Sequence, residues 1–350
     1  MIAGQWPTPA LFLYNSAHNL DREIAHDHSQ DRFGPKAASV SPARLRIGTR
    51  ASPLARVQTD ELCRRLGVAW PDLRAPGAIE IVPIRTTGDA VLDRPLAEIG
   101  GKALFTKEIE DALRDRLIDL AVHSMKDVAT VLPDGLVIAC VLPREDPRDV
   151  LIASLAQSLS ALPAGARVGT GSLRRRAQIL ARRPDVAVVP LRGNVGTRLD
   201  RVAAGAFDAT ILAMAGLRRL GLDHAISAPL DPDEMLPAIG QGAIGVECRA
   251  DDDAVRALLA PLDHADSAIA VAAERALLAG LDGSCHTPIA GLAILDGAGF
   301  MVLRGLVARP DGSAVIEDRD RAPVADAALL GRSLAERLRA RAGPGFLPGY

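Results

Sequence analysis

Two separated stretches of the chain are written to one plan, and that repetition constrains the fold more than any other feature. Arg46-Ile47-Gly48-Thr49-Arg50-Ala51-Ser52 and Arg167-Val168-Gly169-Thr170-Gly171-Ser172 each read as a short apolar strand, a Gly-Thr turn, a Ser and a helix start. Pro53, just inside the first helix, suits its opening turn. Further strands follow each start. Ile79–Ile84 runs into Arg85-Thr86-Thr87-Gly88-Asp89, and Ile118–Val122 runs into His123-Ser124-Met125-Lys126-Asp127. Val186–Pro190 runs into the loop holding Arg192 and Arg198, and Ala209–Ala213 runs into Arg218-Arg219. Strands that alternate with helices indicate α/β units, and open α/β sheets hold ligands just beyond the carboxyl ends of their strands.

What stands at those ends is unusual. The chain has four lysines against 37 arginines, and Lys102, Lys107 and Lys126 share one window. Lysine is a compact, titratable ammonium and arginine a planar, permanent cation, so the two are not interchangeable at a chemical site. In the second unit three successive strands end in arginines, which suggests a cleft for several carboxylates or phosphates, since the guanidinium fork matches such anions. Net charge is only −2, so no global basic field points to nucleic acid, and aromatics at 3% leave little for base stacking. No apolar run approaches the length of a membrane-spanning helix. There is no nucleotide-binding glycine motif. The four cysteines, Cys63, Cys140, Cys248 and Cys285, are widely spaced, with no zinc pattern, and the seven histidines form no HxxxH pair. No metal site is expected. Reduced thiols and a cytoplasmic setting follow. Cys140 and Cys248 read as core residues.

The remaining segments complete the organisation. Residues 1–43 read as a disordered extension that is neither a signal nor a transit peptide. The Pro-bounded, charged run Pro143–Asp149 suits a hinge, and the Gly-rich loop around Gly240-Gln241-Gly242 returns the chain to the first unit. From about His264 a small α+β domain is expected. It has a helix over Ser267–Leu281, strands near 289–295, 300–307 and 313–318, and a last helix from about Val324 to Arg339. Its loop Asp282–Pro288 holds Cys285, the best candidate for a reactive thiol. From the residues alone, a non-catalytic anion-binding protein, a lysine Schiff-base enzyme using Lys126 or Lys102, and a cysteine hydrolase all remain open.

Seven motifs in order resemble the porphobilinogen deaminase family, also called hydroxymethylbilane synthases. They are Gly100-Gly101-Lys102-Ala103-Leu104-Phe105, Ala121–Asp127, Glu145–Asp149, Gly169-Thr170 with Ser172–Arg175, Leu191–Arg198, Gly240–Ala243 and Gly283-Ser284-Cys285. The likeness runs from about Leu45 to the end, more loosely after Pro288.

It implies two doubly wound α/β lobes of the periplasmic-binding-protein kind, plus a small α+β domain with a three-stranded antiparallel sheet. The expected boundaries are 44–142 with 243–262, then 148–236, then 264–350. The implied activity joins porphobilinogen units head to tail, with loss of ammonia, into a linear tetrapyrrole. The implied cofactor is a dipyrromethane held by a thioether to Cys285. By motif position Asp127 is the catalytic carboxylate and Phe105 an aromatic at the cleft mouth. The expected carboxylate-binding set is Arg50, Ser52, Lys102, Ser124, Lys126, Thr170, Ser172, Arg174, Arg175, Arg192, Arg198, Arg219 and Gln241. A monomer is implied, with uroporphyrinogen III synthase as the enzyme that takes the product. Gly171, Ala103 and His286-Thr287 depart from the commonest pattern without removing a residue that has an assigned chemical role.

Overall fold

The computed structural model describes residues 44–90, 104–283 and 287–346. Residues 1–43, Lys102 and Cys285 lie outside the described residues.

The first sheet contains β1 (Leu45–Arg50), β2 (Ile79–Ile84), β3 (Leu120–Ser124), β4 (Leu136–Val141) and β10 (Ile244–Arg249), in the order β2-β1-β3-β10-β4. β1 runs parallel to β2 and β3, while β10 is antiparallel to both its neighbours. Helix α1 (Pro53–Ala69) follows β1, and Ser52 caps it by accepting a hydrogen bond from the Ala55 amide. Its apolar stripe sends Leu62 and Leu66, both fully buried, onto Ile47, Leu120, Val122 and Val246. Each such side chain contributes about 1.5–3 kcal/mol of burial free energy. After the single turn α2 (Thr87–Ala90), helix α3 (Lys107–Arg114) covers the sheet with Ile109 and Leu113 against Ile118 and Ala121.

The second sheet repeats the scheme. β5 (Asp149–Ala153), β6 (Arg167–Gly169), β7 (Ala187–Val189), β8 (Ala209–Ala213) and β9 (Ala228–Pro229) order as β7-β6-β8-β5-β9. Here β5 is the antiparallel member. Helices α4 (Leu173–Arg182), α5 (Val195–Ala203) and α6 (Met214–Arg219) follow β6, β7 and β8. Ser172 caps α4 and Asn194 caps α5. In each lobe the antiparallel strand is the one reached by crossing from the other lobe. The two crossings, 142–148 and 230–243, run side by side: Arg144 Nε donates to the Gln241 carbonyl at 2.8 Å and Glu145 N donates to the Gly242 carbonyl at 3.2 Å.

A third unit follows α7 (Asp253–Leu259). Helices α8 (Ala265–Gly280) and α9 (Ala327–Ala342) pack on an antiparallel sheet of β11 (Ile289–Leu295), β12 (Phe300–Ala308) and β13 (Val315–Pro323). Glu274 of α8, wholly buried, ties this unit to both crossings. It accepts from Arg144 Nη1 at 2.6 Å, from Gly240 N at 2.7 Å and from Ala293 N at 2.9 Å. Arg275 donates to the carbonyls of Val128, Ala129 and Thr130.

Several expected boundaries shift. Gly48-Thr49, expected as a turn, lies inside β1. The helix expected over Ser267–Leu281 spans Ala265–Gly280. β3 begins at Leu120 rather than Ile118, because Asp119 turns its carboxylate back onto the Arg46 amide (2.8 Å) and guanidinium (2.7 Å). β13 spans 315–323 rather than 313–318, because its charged residues alternate. Asp318 and Asp320, two apart on one face, both pair with Arg337 of α9. The last helix starts at Ala327 after a short 3-10 turn, Val324–Asp326. Cys140 and Cys248 are buried in the first lobe, as expected.

Gly242 holds φ at +89°, and a Cβ there would overlap the Glu145 carbonyl oxygen. Gly242→Ala is therefore expected to destabilise the protein by about 2 kcal/mol or more, read as a lower thermal midpoint with the first-lobe core intact.

Candidate active site

The carboxyl ends of β1 and β3 build the floor of the site. β3 ends at Ser124, and one turn of 3-10 helix, Met125–Asp127, carries Lys126 and Asp127 out of the sheet. A cavity here is lined by Arg50, Ser52, Gln58, Phe105, Ser124, Lys126 and Asp127, among others. Arg50 ends β1 and lies with its guanidinium 4.3 Å from the centre of the Phe105 ring. It pairs with Asp89 and stands 3.7 Å from Asp127 Oδ2. Burial opposes the charge on Arg50, but the bond to Asp89 and the nearby Asp127 more than offset it, and its pKa is raised.

Lys126 is half-buried and has no hydrogen bond or ion pair among the described residues. Burial pushes its pKa down to about 8; Asp127 and Asp149 oppose that shift, and Arg175 and Arg174 add to it. From the second lobe comes Arg198, whose Nε donates to the Gly193 carbonyl at 2.9 Å. Its pKa is lowered to about 10, first by burial, then by Arg175 and Arg192, against the opposing charge of Asp127. Lys126 and Asp127 of the first lobe thus share one electrostatic site with Arg175, Arg192 and Arg198 of the second. Crowded, desolvated cations of this kind are relieved by an anionic ligand.

Other expected members sit deeper. Asp149, fully buried, stands 2.7 Å from Arg174 Nη1, accepts from Arg175 Nη2 at 2.8 Å and accepts from Gln241 Nε2 at 2.8 Å. Arg174 also donates to the Leu236 carbonyl and Arg175 to the Ile211 carbonyl. Burial works against the Asp149 charge, yet the two arginines hold its pKa far below the carboxylate range. Arg219 donates to the Gly242 carbonyl at 3.0 Å and faces Glu61 at 3.4 Å, beside the crossing chains. Thr170, buried, accepts from the Ser172 amide, and Ser172 and Ser52 cap helices. Ser124 bonds the Gln58 side chain at 2.9 Å.

Gln58, Asp89 and Asp149 had no assigned role in the sequence. Gln58 could have been found: it falls on the buried stripe Ala55, Thr59, Leu62, Leu66 at helical spacing, where a polar residue is out of place. Among the described residues no group of three or more His, Cys, Asp or Glu is placed to hold a metal ion, and no helix is long and apolar enough to cross a membrane.

Two lobes of one strand order meet over a carboxylate, an ammonium unpaired among the described residues and a cluster of arginines, an arrangement suited to a polyanionic ligand. Comparison with known proteins adds the chemistry. The family model described as porphobilinogen deaminase, dipyromethane cofactor binding domain, matches residues 45–257, and that for the porphobilinogen deaminase C-terminal domain matches residues 268–340. The porphobilinogen deaminase of Paracoccus denitrificans (strain Pd 1222) is 57% identical over 302 residues, covering 86% of this chain and 96% of the relative. The chloroplastic porphobilinogen deaminase of Oryza sativa subsp. japonica is 51% identical over 311 residues, 88% of this chain and 87% of its own. That of Pisum sativum is 50% identical over 347 residues, 97% of this chain and 94% of its own. The chain belongs to the porphobilinogen deaminase family.

Proposed function

We propose that this protein joins four porphobilinogen molecules head to tail, with loss of one ammonia each, and releases linear hydroxymethylbilane by addition of water, for tetrapyrrole biosynthesis. The observation that carries this reading is the placement of Asp127 and Lys126 on one turn of the first lobe, opposite Arg198 of the second, in a chain of this family.

Porphobilinogen carries an acetate and a propionate, so each added unit brings two carboxylates into a protein of net charge −2. Local cations must hold them. Lys126 and Arg198 are suited to this, since burial lowers the pKa of each and a bound anion would relieve it. Arg50, Arg192 and Lys102 extend the set, with the hydroxyls of Ser52, Ser124, Thr170 and Ser172 at strand ends. Arg174, Arg175 and Gln241 gather on Asp149 and fix the cleft floor, and Arg219 holds the crossing chains. Phe105 forms a wall beside Arg50.

The chemical work falls to Asp127. An Oδ of Asp127 accepts the pyrrole N–H and shuttles a proton at the departing amine. The C–N bond breaks with its electron pair on nitrogen, ammonia leaves, and the methylene cation of the substrate lies against the carboxylate. That carboxylate also takes the proton released when the new carbon–carbon bond closes.

The cation cluster fits a dipyrromethane, an acidic, covalently held primer, and a thioether to Cys285 is the proposed attachment. When bound, this group supplies the carbon end on which polymerisation begins. The protein is proposed to act as a cytoplasmic monomer without a metal, passing its product to uroporphyrinogen III synthase.

Intact denatured mass tests the reading. The purified protein is expected to exceed its sequence mass by two linked pyrrole units, and Cys285→Ser to lack that increment. Unmodified masses in both, unchanged after incubation with porphobilinogen, would leave a plain anion-binding protein as the better description.

A further inference from the structure

We propose that Asp89 is a positioning residue for the reaction: by holding one edge of Arg50 it keeps that guanidinium from closing on Asp127, and so preserves the negative charge with which Asp127 works. The inference rests on the function proposed above.

The geometry is specific. A guanidinium offers two edges that match a carboxylate, Nε with Nη2 along its side and Nη1 with Nη2 at its end. Asp89 occupies the side edge of Arg50, Oδ2 accepting from Nε at 3.1 Å and Oδ1 accepting from Nη2. The ring of Phe105 supports the guanidinium face. Only Nη1 is directed at Asp127, at 3.7 Å, outside hydrogen-bond distance. Asp89 is itself fixed, since Thr86 Oγ1 donates to Oδ2 at 2.8 Å. Gly88, the preceding residue, donates its amide to the Leu104 carbonyl at 2.8 Å and lies so near Phe105 that a Cβ would overlap the ring. The turn holding Asp89 and the ring under Arg50 are therefore locked to each other.

Among the described residues, three cations face Asp127: Arg50 from β1, Lys126 beside it, and Arg198 from α5. A bidentate pair with any of them would neutralise the carboxylate and weaken it as a base, because an adjacent arginine lowers a carboxylate pKa by about 1–3. Arg50 is the nearest arginine, and Asp89 is the competing anion that holds it at a distance. Burial opposes the charge on Asp89, but the bond to Arg50 outweighs it and keeps its pKa below the ordinary carboxylate range.

The test is steady-state porphobilinogen consumption across pH. Asp89→Asn frees the fork of Arg50 to pair with Asp127. Turnover is expected to fall about tenfold, and the acid limb of the kcat profile to move down by about one pH unit. Asp89→Glu, which keeps the charge, is expected to restore most of kcat. Thr86→Val, which only loosens Asp89, is expected to move both readouts the same way by less. A raised KM with unchanged kcat in Asp89→Asn would assign Asp89 to substrate binding through Arg50 and overturn the proposal, as would an unmoved acid limb. Should Asp89→Asn fail to fold, Thr86→Val decides, and an unshifted acid limb there overturns the idea. A wild-type protein that consumes no porphobilinogen is a separate result: it removes the proposed function first, and this inference with it.

Discussion

Asp127→Asn is expected to fold normally, keep its cation cluster and lose on the order of 10² or more in turnover. The fold is spared because Asp127 makes no hydrogen bond among the described residues, and its ion pair is the 3.7 Å approach of Arg50. An amide of the same shape replaces the carboxylate at little packing cost. The chemistry is not spared. An amide cannot take a proton from the pyrrole, return one to the leaving amine or offset a methylene cation with full charge. The cations around it, Lys126 and Arg198, would then face the developing positive charge unopposed. The loss should appear in kcat, with the midpoint of thermal unfolding within a degree or two of wild type. Near-normal turnover would take Asp127 out of the mechanism.

The second large effect is on stability. Asp149→Ala leaves Arg174 and Arg175 buried without their shared counter-ion, and Gln241 with only the Pro147 carbonyl to donate to. Removing one partner from a buried ionic cluster costs about 3–5 kcal/mol, which corresponds to a fall in thermal midpoint on the order of 10 °C. The pH dependence has a definite sign. The folded-state pKa of Asp149 is depressed, so its stabilisation is full above the unfolded carboxylate value of about 4 and is lost as pH falls through the folded value. The gap between wild type and variant should therefore be widest above about pH 4 and narrow below it. A constant gap, or none, would mean that the arginines find other partners.

How much of this was legible in the sequence depended on how far apart the partners lie. The two Gly-Thr segments with their Ser pointed to paired lobes because a strand end and a capping Ser are local signals: Ser52 and Ser172 do cap their helices, although Gly48-Thr49 lie inside β1 rather than in a turn. Arg174 and Arg175 could be read as cations at a strand end. That both converge on Asp149 could not, because Asp149 sits in the charged run that reads as a hinge and meets them only after the chain has crossed. Asp89 was visible as a loop residue, but its grip on Arg50 spans the β1–β2 pair and has no sequence period. β13 was cut short because its alternation is carried by Asp and Arg rather than by apolar residues, and its partners lie on a later helix.

The bonds gathered on Glu274 bear on how such a cleft could accommodate a lengthening product. Both strands of the passage between lobes and the edge of the third sheet are stapled to one carboxylate, so in any relative turning of the lobes that point would serve as a fixed bearing. Turning about a bearing displaces nearby atoms little and distant ones most. Asp149 and Gln241, close to the passage, would hold their spacing while the far rim of the cleft swept outward. Room for each successive unit would then be gained at the mouth, and the reacting centre could remain one place used repeatedly.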